Sequence, residues 1–210
     1  MAGVKICGIT TPEALDAAID GGARFVGFML FPKSVRNLPR EKAEALIARA
    51  RGRVETVVVT VDADDALLGW IGAALKPDWL QLHGSETTAR IAEAGRLAGA
   101  RTIRAFGVAR TDDLAQASAY AATADMLLFD AKPPPGAPPG GNAVAFDWTI
   151  LSGRRFLRPW LLAGGLTPDN VGEAIRLSGA SLVDVSSGVE SAPGLKDPLR
   201  IAQFLAAARA

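Results

Sequence analysis

The first side chains that could carry out chemistry are Lys5 and Cys7, near the start of the chain. They lie in a short apolar run, residues 4–8, that predicts a buried strand entering a turn. Because strand side chains alternate between faces, the ammonium and the thiol share one face, where they suit proton transfer. Cys7 is the only cysteine, and a free cysteine also acts commonly as a small buried hydrophobe. This segment alone leaves both roles open.

Two aspartates lie where later apolar runs end. Asp130 follows the run 126–129, and Asp184 lies within the run 182–186. A buried carboxyl group is costly unless it is paired or functional, so Asp130 is a candidate for proton transfer. Asp184 has a similar placement, and it could instead orient a neighbouring side chain by hydrogen bonding.

Small residues at the ends of two apolar runs indicate a site for an anion. Gly164 and Gly165 end one run, and Ser186, Ser187 and Gly188 end the other. Small residues leave backbone N–H groups free to hold a phosphate group. The alternative is a pair of tight turns in which glycine serves conformation only.

Two more polar residues lie at the end of a predicted strand or shortly after one. Arg36 comes after residues 31–35 and could hold a carboxylate through two parallel hydrogen bonds, although a solvated loop arginine is the alternative. His83 shares a strand face with Gln81 and could line the same site, or it could be a satisfied polar residue at the rim.

These residues are positioned by apolar runs that alternate with Ala-rich amphipathic stretches. The runs predict strands at residues 4–8, 25–30, 55–61, 79–83, 101–108, 126–130, 160–164 and 182–186. The amphipathic stretches predict helices at residues 11–20, 40–51, 64–74, 85–97, 111–121, 146–152, 167–177 and 197–208. Thr11 is the expected N-cap of the first helix and Ser85 that of the fourth.

Strict alternation of strands and helices implies parallel βαβ units, and eight such units close into a (β/α)8 TIM barrel. A doubly wound open sheet is the alternative, but no Gly-x-Gly-x-x-Gly motif follows the first strand. In a barrel, the strand-end residues of distant segments meet on one face. We therefore predict one α/β domain over residues 1–210, with a single site at the carboxyl ends of its strands.

The composition is that of a globular protein. Of the 210 residues, 49% are hydrophobic and 21% are charged, and the net charge is +1. No basic block indicates a nucleic-acid or membrane surface, no apolar run reaches about 18 residues, and no signal-peptide pattern is present. One cysteine fits a reducing cytoplasm, and one cysteine with one histidine excludes a multi-thiolate zinc site. We expect a cytoplasmic monomer or homodimer that binds neither metal nor nucleic acid.

Several segments form a specific pattern when they are taken together and in order. They are KICGIT (5–10), GF (27–28), FPKSVR (31–36), QLHG (81–84), LFD (128–130), FDW (146–148), LAGGL (162–166), PDNV (168–171), DVSSGVE (184–190) and PGLKD (193–197). Together they resemble the phosphoribosylanthranilate isomerase family of tryptophan biosynthesis over nearly the whole chain.

The resemblance implies a (β/α)8 barrel that converts N-(5-phosphoribosyl)anthranilate into an open-chain carboxyphenylamino deoxyribulose phosphate. This Amadori rearrangement would need neither cofactor nor metal. The resemblance makes Cys7 the general base, Asp130 the general acid and Arg36 the clamp for the anthranilate carboxylate. It places Asp184 near the anthranilate amine. It puts the ribose phosphate on Gly164, Gly165, Ser186, Ser187 and Gly188.

The residue types suit that reaction. Opening the ribose ring needs a proton for the ring oxygen, and burial raises the pKa of a carboxyl group such as Asp130 so that it keeps one. Removing the C2 proton needs a thiolate, and a free cysteine has a pKa of about 8.5. We expect the ammonium of Lys5 to lower the pKa of Cys7 by favouring the anion.

One segment departs from the family pattern. Many relatives carry a Gly-Thr-Gly-Lys-like segment before Phe-Asp-Trp, whereas residues 138–145 here contain no lysine. The Pro- and Gly-rich stretch 131–144 has only Lys132, near its start. We predict that this stretch is an active-site loop without a lysine contact from its later part.

Three other functions stay open. A lyase such as indole-glycerol-phosphate synthase also binds phosphate, but its chemistry relies on lysine and glutamate in the barrel. A non-catalytic phosphosugar-binding barrel would have no activity to remove. An isomerase that also acts on the histidine-pathway aminoimidazole analogue typically has aspartate where this chain has Cys7.

Overall fold

Eight parallel strands form the centre of the molecule and close into a barrel, in which each strand is hydrogen-bonded to the next. The computed structural model describes residues 1–132 and 145–210. The strands are β1 Gly3–Cys7, β2 Phe25–Met29, β3 Glu55–Thr60, β4 Trp79–Leu82, β5 Arg101–Val108, β6 Met126–Ala131, β7 Trp160–Leu162 and β8 Leu182–Val185. Because β8 also pairs with β1, the predicted (β/α)8 barrel is confirmed and the open-sheet alternative is wrong. Most of the predicted loop, residues 133–144, lies outside the described residues.

Helices cover the outside of the barrel. The α-helices of the described residues are α1 Pro12–Asp20, α2 Arg40–Ala50, α3 Asp65–Trp70, α4 Thr88–Ala98, α5 Ala117–Tyr120, α6 Val171–Ser178 and α7 Pro198–Ala207. Three of the predicted helices are less regular than expected. A π-helical turn, Ile71–Leu75, extends α3, and a 3-10 helix, Thr111–Gln116, precedes α5. Between β6 and β7 the described residues contain a single 3-10 turn, Trp148–Leu151.

One of the two N-caps predicted from the sequence is confirmed and the other is wrong. Thr11 caps α1 as predicted, because its Oγ1 accepts a hydrogen bond of 3.3 Å from the Ala14 backbone N–H. The predicted cap of α4 at Ser85 is wrong. Thr87 takes that position, and its Oγ1 accepts from the Arg90 backbone N–H at 3.2 Å. Ser and Thr are both good caps, and the local sequence does not choose between them.

The two faces of each strand belong to different apolar layers. Side chains such as Val4 and Ile6 point outward and pack against the helices. Inward-facing residues fill the barrel, among them Phe25, Val57, Trp79, Ile103, Met126 and Leu161. Cys7 belongs to this inner layer, and Lys5 is fully buried on the same strand face. The alternation predicted for β1 is therefore present, and the packed interior leaves the carboxyl ends of the strands as the place for a site.

A short hairpin between β8 and α7 is an element that the sequence pattern did not predict. It consists of β9 Glu190–Ala192 and β10 Leu195–Lys196, and it follows a 3-10 turn at Ser187–Val189. Strands of three and two residues are too short to show a period of two. The Thr10 hydroxyl donates a hydrogen bond of 3.0 Å to the Gly194 carbonyl, which ties the hairpin to the loop after β1.

Candidate active site

A cavity of about 510 Å³ opens at the carboxyl ends of the barrel strands. Nine of the ten predicted site residues line it, namely Cys7, Arg36, His83, Asp130, Gly164, Gly165, Asp184, Ser186 and Ser187. Gly188 is the exception, because it packs against the carbonyl of Leu166. The barrel therefore gathers residues from six different strand ends around one space of the size that binds small molecules.

Cys7 lies beside a buried ion pair at the floor of this cavity. The Lys5 Nζ donates a hydrogen bond of 2.8 Å to the Asp184 Oδ1. Burial alone would lower the pKa of Lys5, but the Asp184 carboxylate raises it, so the lysine stays charged. Gly27 on β2 makes room for both residues, since a Cβ there would lie 2.9 Å from the Cys7 Sγ. Asp184 thus holds Lys5 in place by a hydrogen bond, which is one of the two roles considered for it from the sequence.

The pKa of Cys7 corrects a prediction from the sequence. Burial of the thiol raises its pKa, and the Lys5 ammonium opposes this without outweighing it, while the Asp184 carboxylate adds to the rise. The expectation that Lys5 brings the pKa below its ordinary value is wrong, because burial of the thiol outweighs the charge of Lys5 and the Asp184 carboxylate acts in the same direction as burial. Cys7 is therefore mainly a thiol at neutral pH, and the small thiolate fraction is a strong base.

Asp130, at the end of β6, has the properties of an acid that keeps its proton. Burial is the main cause that raises its pKa to about 7, and the negative charge of Asp184 adds to it. The Ala131 backbone N–H, 2.8 Å from Oδ1, and the charge of Lys5 act in the opposite direction. Asp130 can therefore keep its proton near neutral pH, where an ordinary aspartate would be ionised.

His83 lies next to this carboxyl group. Its Nε2 is 3.6 Å from the Asp130 Oδ2, which is too long for a hydrogen bond. Burial, followed by the charges of Lys5 and Arg104, lowers the pKa of His83 to about 4. The Gln81 Nε2 lies 3.3 Å from its Nδ1. His83 is thus a neutral ring on the cavity wall at pH 7, and it does not form an ion pair with Asp130.

Arg36 is held by a carboxylate that the sequence pattern did not assign. Its Nε and Nη2 donate to the Glu190 Oε1 and Oε2 at 2.7 and 2.8 Å, a bidentate pair. Among the described residues its other three N–H groups have no acceptor, and Arg36 lines the cavity. A guanidinium group that is fixed on one edge can present the other edge to a carboxylate in the cavity.

The loops after β7 and β8 pack directly against each other. Gly164 and Gly165 have positive φ angles of 89° and 64°. Asn170 stabilises their loop, because its Nδ2 donates to the Gly165 carbonyl at 2.9 Å and its Oδ1 accepts from the Thr167 N–H at 2.8 Å. This turn explains why α6 begins at Val171, whereas the sequence pattern predicted a helix from residue 167.

Gly188 gives a test of this close packing. A Cβ at position 188 would lie 1.9 Å from the Leu166 carbonyl oxygen, a backbone atom that cannot move alone. We expect Gly188→Ala to lower the free energy of unfolding by about 1–3 kcal/mol. Gly69→Ala in α3 is the control, because a Cβ there meets nothing within 4 Å, and it should raise the same free energy by about 0.5–1 kcal/mol. Urea unfolding measures both, and an unchanged stability of Gly188→Ala would contradict the packing described.

Two charged residues of the site had no role assigned from the sequence. Glu190 binds Arg36, and the buried Lys196 contacts Glu190 and Ser186. The signal was present as two opposite charges on either side of a Pro-Gly turn, 193–194, in segments that the family resemblance already included.

Two kinds of feature are absent from the described residues. No group of three or more His, Cys, Asp or Glu side chains within residues 1–132 and 145–210 is arranged to hold a metal ion. No helix in this part of the chain has the length and apolar character required to cross a membrane.

Known proteins share both the sequence and the fold. A family model described as N-(5'phosphoribosyl)anthranilate (PRA) isomerase matches residues 4–207. The N-(5'-phosphoribosyl)anthranilate isomerase of Caulobacter vibrioides is 53% identical over 209 residues, which cover 99% of this chain and 95% of the relative. Two solved structures each cover 100% of this chain with 99% of their own length, at 33% identity. One, with a TM-score of 0.85, shows monomers of the dimeric phosphoribosylanthranilate isomerase from Thermotoga maritima. The other, with a TM-score of 0.84, is a phosphoribosyl anthranilate isomerase in complex with reduced 1-(o-carboxyphenylamino)-1-deoxyribulose 5-phosphate.

The match spans nearly the whole sequence, and the barrel carries the residues of the resemblance at its strand ends. The chain belongs to the N-(5'-phosphoribosyl)anthranilate isomerase family.

Proposed function

We propose that this chain converts N-(5'-phosphoribosyl)anthranilate into 1-(2-carboxyphenylamino)-1-deoxyribulose 5-phosphate in tryptophan biosynthesis, by general acid–base catalysis. The observation that supports this most directly is the pairing of Cys7 with Asp130 in one cavity, where the carboxyl group has a pKa of about 7. Their strands are not neighbours, since β1 pairs with β2 and β8 whereas β6 pairs with β5 and β7. A thiol and a carboxyl group on separate parts of a barrel wall can act on two sides of a sugar.

In the proposed reaction, protonated Asp130 gives its proton to the ring oxygen of the ribose. The bond between C1 and this oxygen breaks, and the nitrogen lone pair forms a C1=N bond, which gives a protonated Schiff base. The Cys7 thiolate then takes the proton from C2, and the C–H electron pair becomes a C1=C2 bond as the nitrogen becomes neutral. The resulting enolamine becomes the ketone when C1 gains a proton and the C2 hydroxyl loses one. Each positioned group of this kind contributes about 10²–10⁴-fold.

The ends of the substrate would occupy separate parts of the cavity. We place the phosphate on the Gly164–Gly165 and Ser186–Ser187 loops, since small residues there leave backbone N–H groups accessible. The anthranilate carboxylate would bind the edge of Arg36 that faces away from Glu190. The amine would lie near Asp184, which also lines the cavity.

The first test is an assay with three substrates. Incubation with N-(5'-phosphoribosyl)anthranilate should remove its fluorescence without forming an indole product. Incubation with the open-chain 1-(2-carboxyphenylamino)-1-deoxyribulose 5-phosphate is the second arm. An indole product there would favour the synthase chemistry, although the inward lysine of β1, Lys5, is already bound to Asp184. Turnover of the histidine-pathway aminoimidazole analogue would show a second substrate. Binding without any turnover would leave a phosphosugar-binding barrel and would contradict the proposal.

Arg36→Ala tests the carboxylate clamp. We expect KM to rise about tenfold or more with a smaller change in kcat, because a charge-assisted bidentate contact to the substrate is lost. Glu190 keeps a partner in this variant, since Lys196 also contacts its Oε1. Arg53→Ala, which removes an exposed arginine paired with Asp16, is the control and should leave KM unchanged. An unchanged KM in Arg36→Ala would remove the clamp from the mechanism.

The assembly of the chain stays a prediction. The sequence predicts a monomer or a homodimer, and the relative from Thermotoga maritima is described as dimeric. Sedimentation of the purified protein over a range of concentrations distinguishes the two states.

A further inference from the structure

A buried lysine lies directly behind the loop that follows β8. Lys196, on β10, has a fully buried side chain and is not among the described residues that line the cavity. We propose that Lys196 is a positioning residue, which fixes the Ser186 hydroxyl as a hydrogen-bond donor to the phosphate group of the substrate. This role rests on the proposed function, because it requires a phosphate on the Ser186 loop.

The contacts of Lys196 account for all of its hydrogen-bonding capacity. Its Nζ donates to the Glu190 Oε1, to the Ser186 carbonyl at 3.2 Å and to the Ser186 Oγ at 3.3 Å. An ammonium group has three N–H donors and no acceptor. Lys196 therefore has no donor left for a ligand, and any effect on binding must pass through its protein neighbours.

Glu190 keeps the lysine in place. Its Oε1 and Oε2 also accept two hydrogen bonds from Arg36, and Oε2 accepts one of 3.2 Å from the Gly194 N–H. Burial lowers the pKa of Lys196, and the Glu190 carboxylate opposes this, so the charged form depends on the pair. With both cations charged, the three side chains carry one net positive charge beside the cavity, which favours an anionic ligand.

The consequence for Ser186 follows from the chemistry of a hydroxyl group. A serine hydroxyl can accept hydrogen bonds and donate one, and because an ammonium cannot accept, the Ser186 Oγ must be the acceptor from Lys196. Its own proton is then available for another acceptor. Gly8 closes one side, since a Cβ there would lie only 3.3 Å from both the Ser186 Oγ and the Lys196 Nζ. Ser186 lines the cavity, so the proton can be directed to a phosphate oxygen there.

Lys196→Met is the first variant to measure. Methionine keeps most of the buried stem but removes the charge and the donors, and Glu190 keeps its bonds from Arg36 and Gly194. We expect KM for N-(5'-phosphoribosyl)anthranilate to rise about tenfold or more, with kcat within about threefold of its original value. Direct titration with two probes separates the ends of the substrate. The affinity for inorganic phosphate should fall about tenfold, whereas the affinity for anthranilate should change less than about twofold.

Three further variants make the test specific. Lys196→Gln keeps N–H donors on a neutral side chain that is one bond shorter, so it should lose no more phosphate affinity than Lys196→Met, and it replaces Lys196→Met in the comparison if that variant does not fold. Thr10→Val loosens the same hairpin by removing the bond to the Gly194 carbonyl, and it should leave phosphate affinity unchanged. Ser186→Ala removes the hydroxyl, and Lys196→Met should add less than about twofold to its effect, because coupled residues are not additive.

The outcomes are distinct. An unchanged phosphate affinity in Lys196→Met overturns the proposal, as does an equal loss of anthranilate and phosphate affinity. A phosphate loss of the same size in Thr10→Val would assign the effect to the hairpin, and full additivity with Ser186→Ala would exclude the hydroxyl as the route. Failure of the proposed function would appear separately, as an absence of turnover in the unmodified protein, since phosphate titration needs no catalysis.

Discussion

Replacing Asp130 with asparagine is expected to lower kcat by at least about 10²-fold while the substrate still binds. Asparagine has nearly the same shape as the protonated carboxyl group, but its amide N–H groups are far too weakly acidic to transfer a proton to the ribose ring oxygen. The measurement is turnover of N-(5'-phosphoribosyl)anthranilate, together with titration of the reduced product analogue to show that binding survives. Asp20→Asn is the control, because that carboxylate has a side chain that is 75% exposed at the end of α1. Near-normal turnover in Asp130→Asn would remove Asp130 from its role as the acid.

The same variant should change the pH profile in a specific direction. The reactive form needs a protonated Asp130, with a pKa of about 7, and an ionised Cys7, whose pKa is raised. Below pH 7 the acid stays protonated and the thiolate fraction grows with pH, so kcat/KM rises. Above pH 7 the loss of protonated Asp130 offsets the growth of thiolate, which gives a plateau until Cys7 is ionised.

In Asp130→Asn only the thiolate fraction is left to vary. The residual kcat/KM should therefore continue to rise with pH beyond 7, without a plateau that begins there. The substrate phosphate titrates in the same way for both proteins, so the difference between their profiles reports the carboxyl group. A plateau from pH 7 in the variant would assign that limb to another group.

Cys7→Ser is expected to have an effect of similar size. The hydroxyl of serine fits in place of the thiol, but it ionises far less readily, so almost no base is present to remove the C2 proton. We expect kcat to fall by at least about 10²-fold, with the affinity for the reduced product analogue close to that of the unmodified protein. Thr60→Ser, which changes a buried hydroxyl residue at the end of β3, is a control for small changes in the barrel wall.

A second readout keeps the Cys7 test specific. Because the pKa of Cys7 is raised, its ionisation produces an inflection of kcat/KM at alkaline pH. This inflection should be absent in the serine variant. A Cys7→Ser protein that turns over the substrate at a near-normal rate would show that another group takes the proton.

Alternation along single strands predicted much of this site. Lys5 and Cys7 share the inner face of β1 because the period of a strand is two, and Asp130 meets them because parallel strands end on the same face of a barrel. Such local rules need only neighbouring residues. They therefore locate a side chain at a strand end without showing what it contacts.

Long-range partners were outside the reach of these rules. Arg36 and Glu190 are 154 positions apart, and only the closed fold brings the guanidinium onto the carboxylate. The predicted direction of the Cys7 pKa shift was wrong for a related reason. Burial of the thiol outweighs the charge of Lys5, and only the closed fold sets how deeply Cys7 is buried. The proposed contribution of residues 133–144 to the site stays a prediction, because they lie outside the described residues.

The pair formed by Lys5 and Asp184 has a consequence for biosynthesis of the polypeptide. Its members are 179 positions apart, so a nascent chain exposes the ammonium long before the ribosome has made its counter-ion. Placing that charge in an apolar interior without a counter-ion costs several kcal/mol, which adds to the missing pairing of β1 with β8 in disfavouring a compact structure of the first seven strands. Completion of the cylinder is thus coupled to emergence of the eighth strand, and truncated translation products that lack it should stay open to proteolysis.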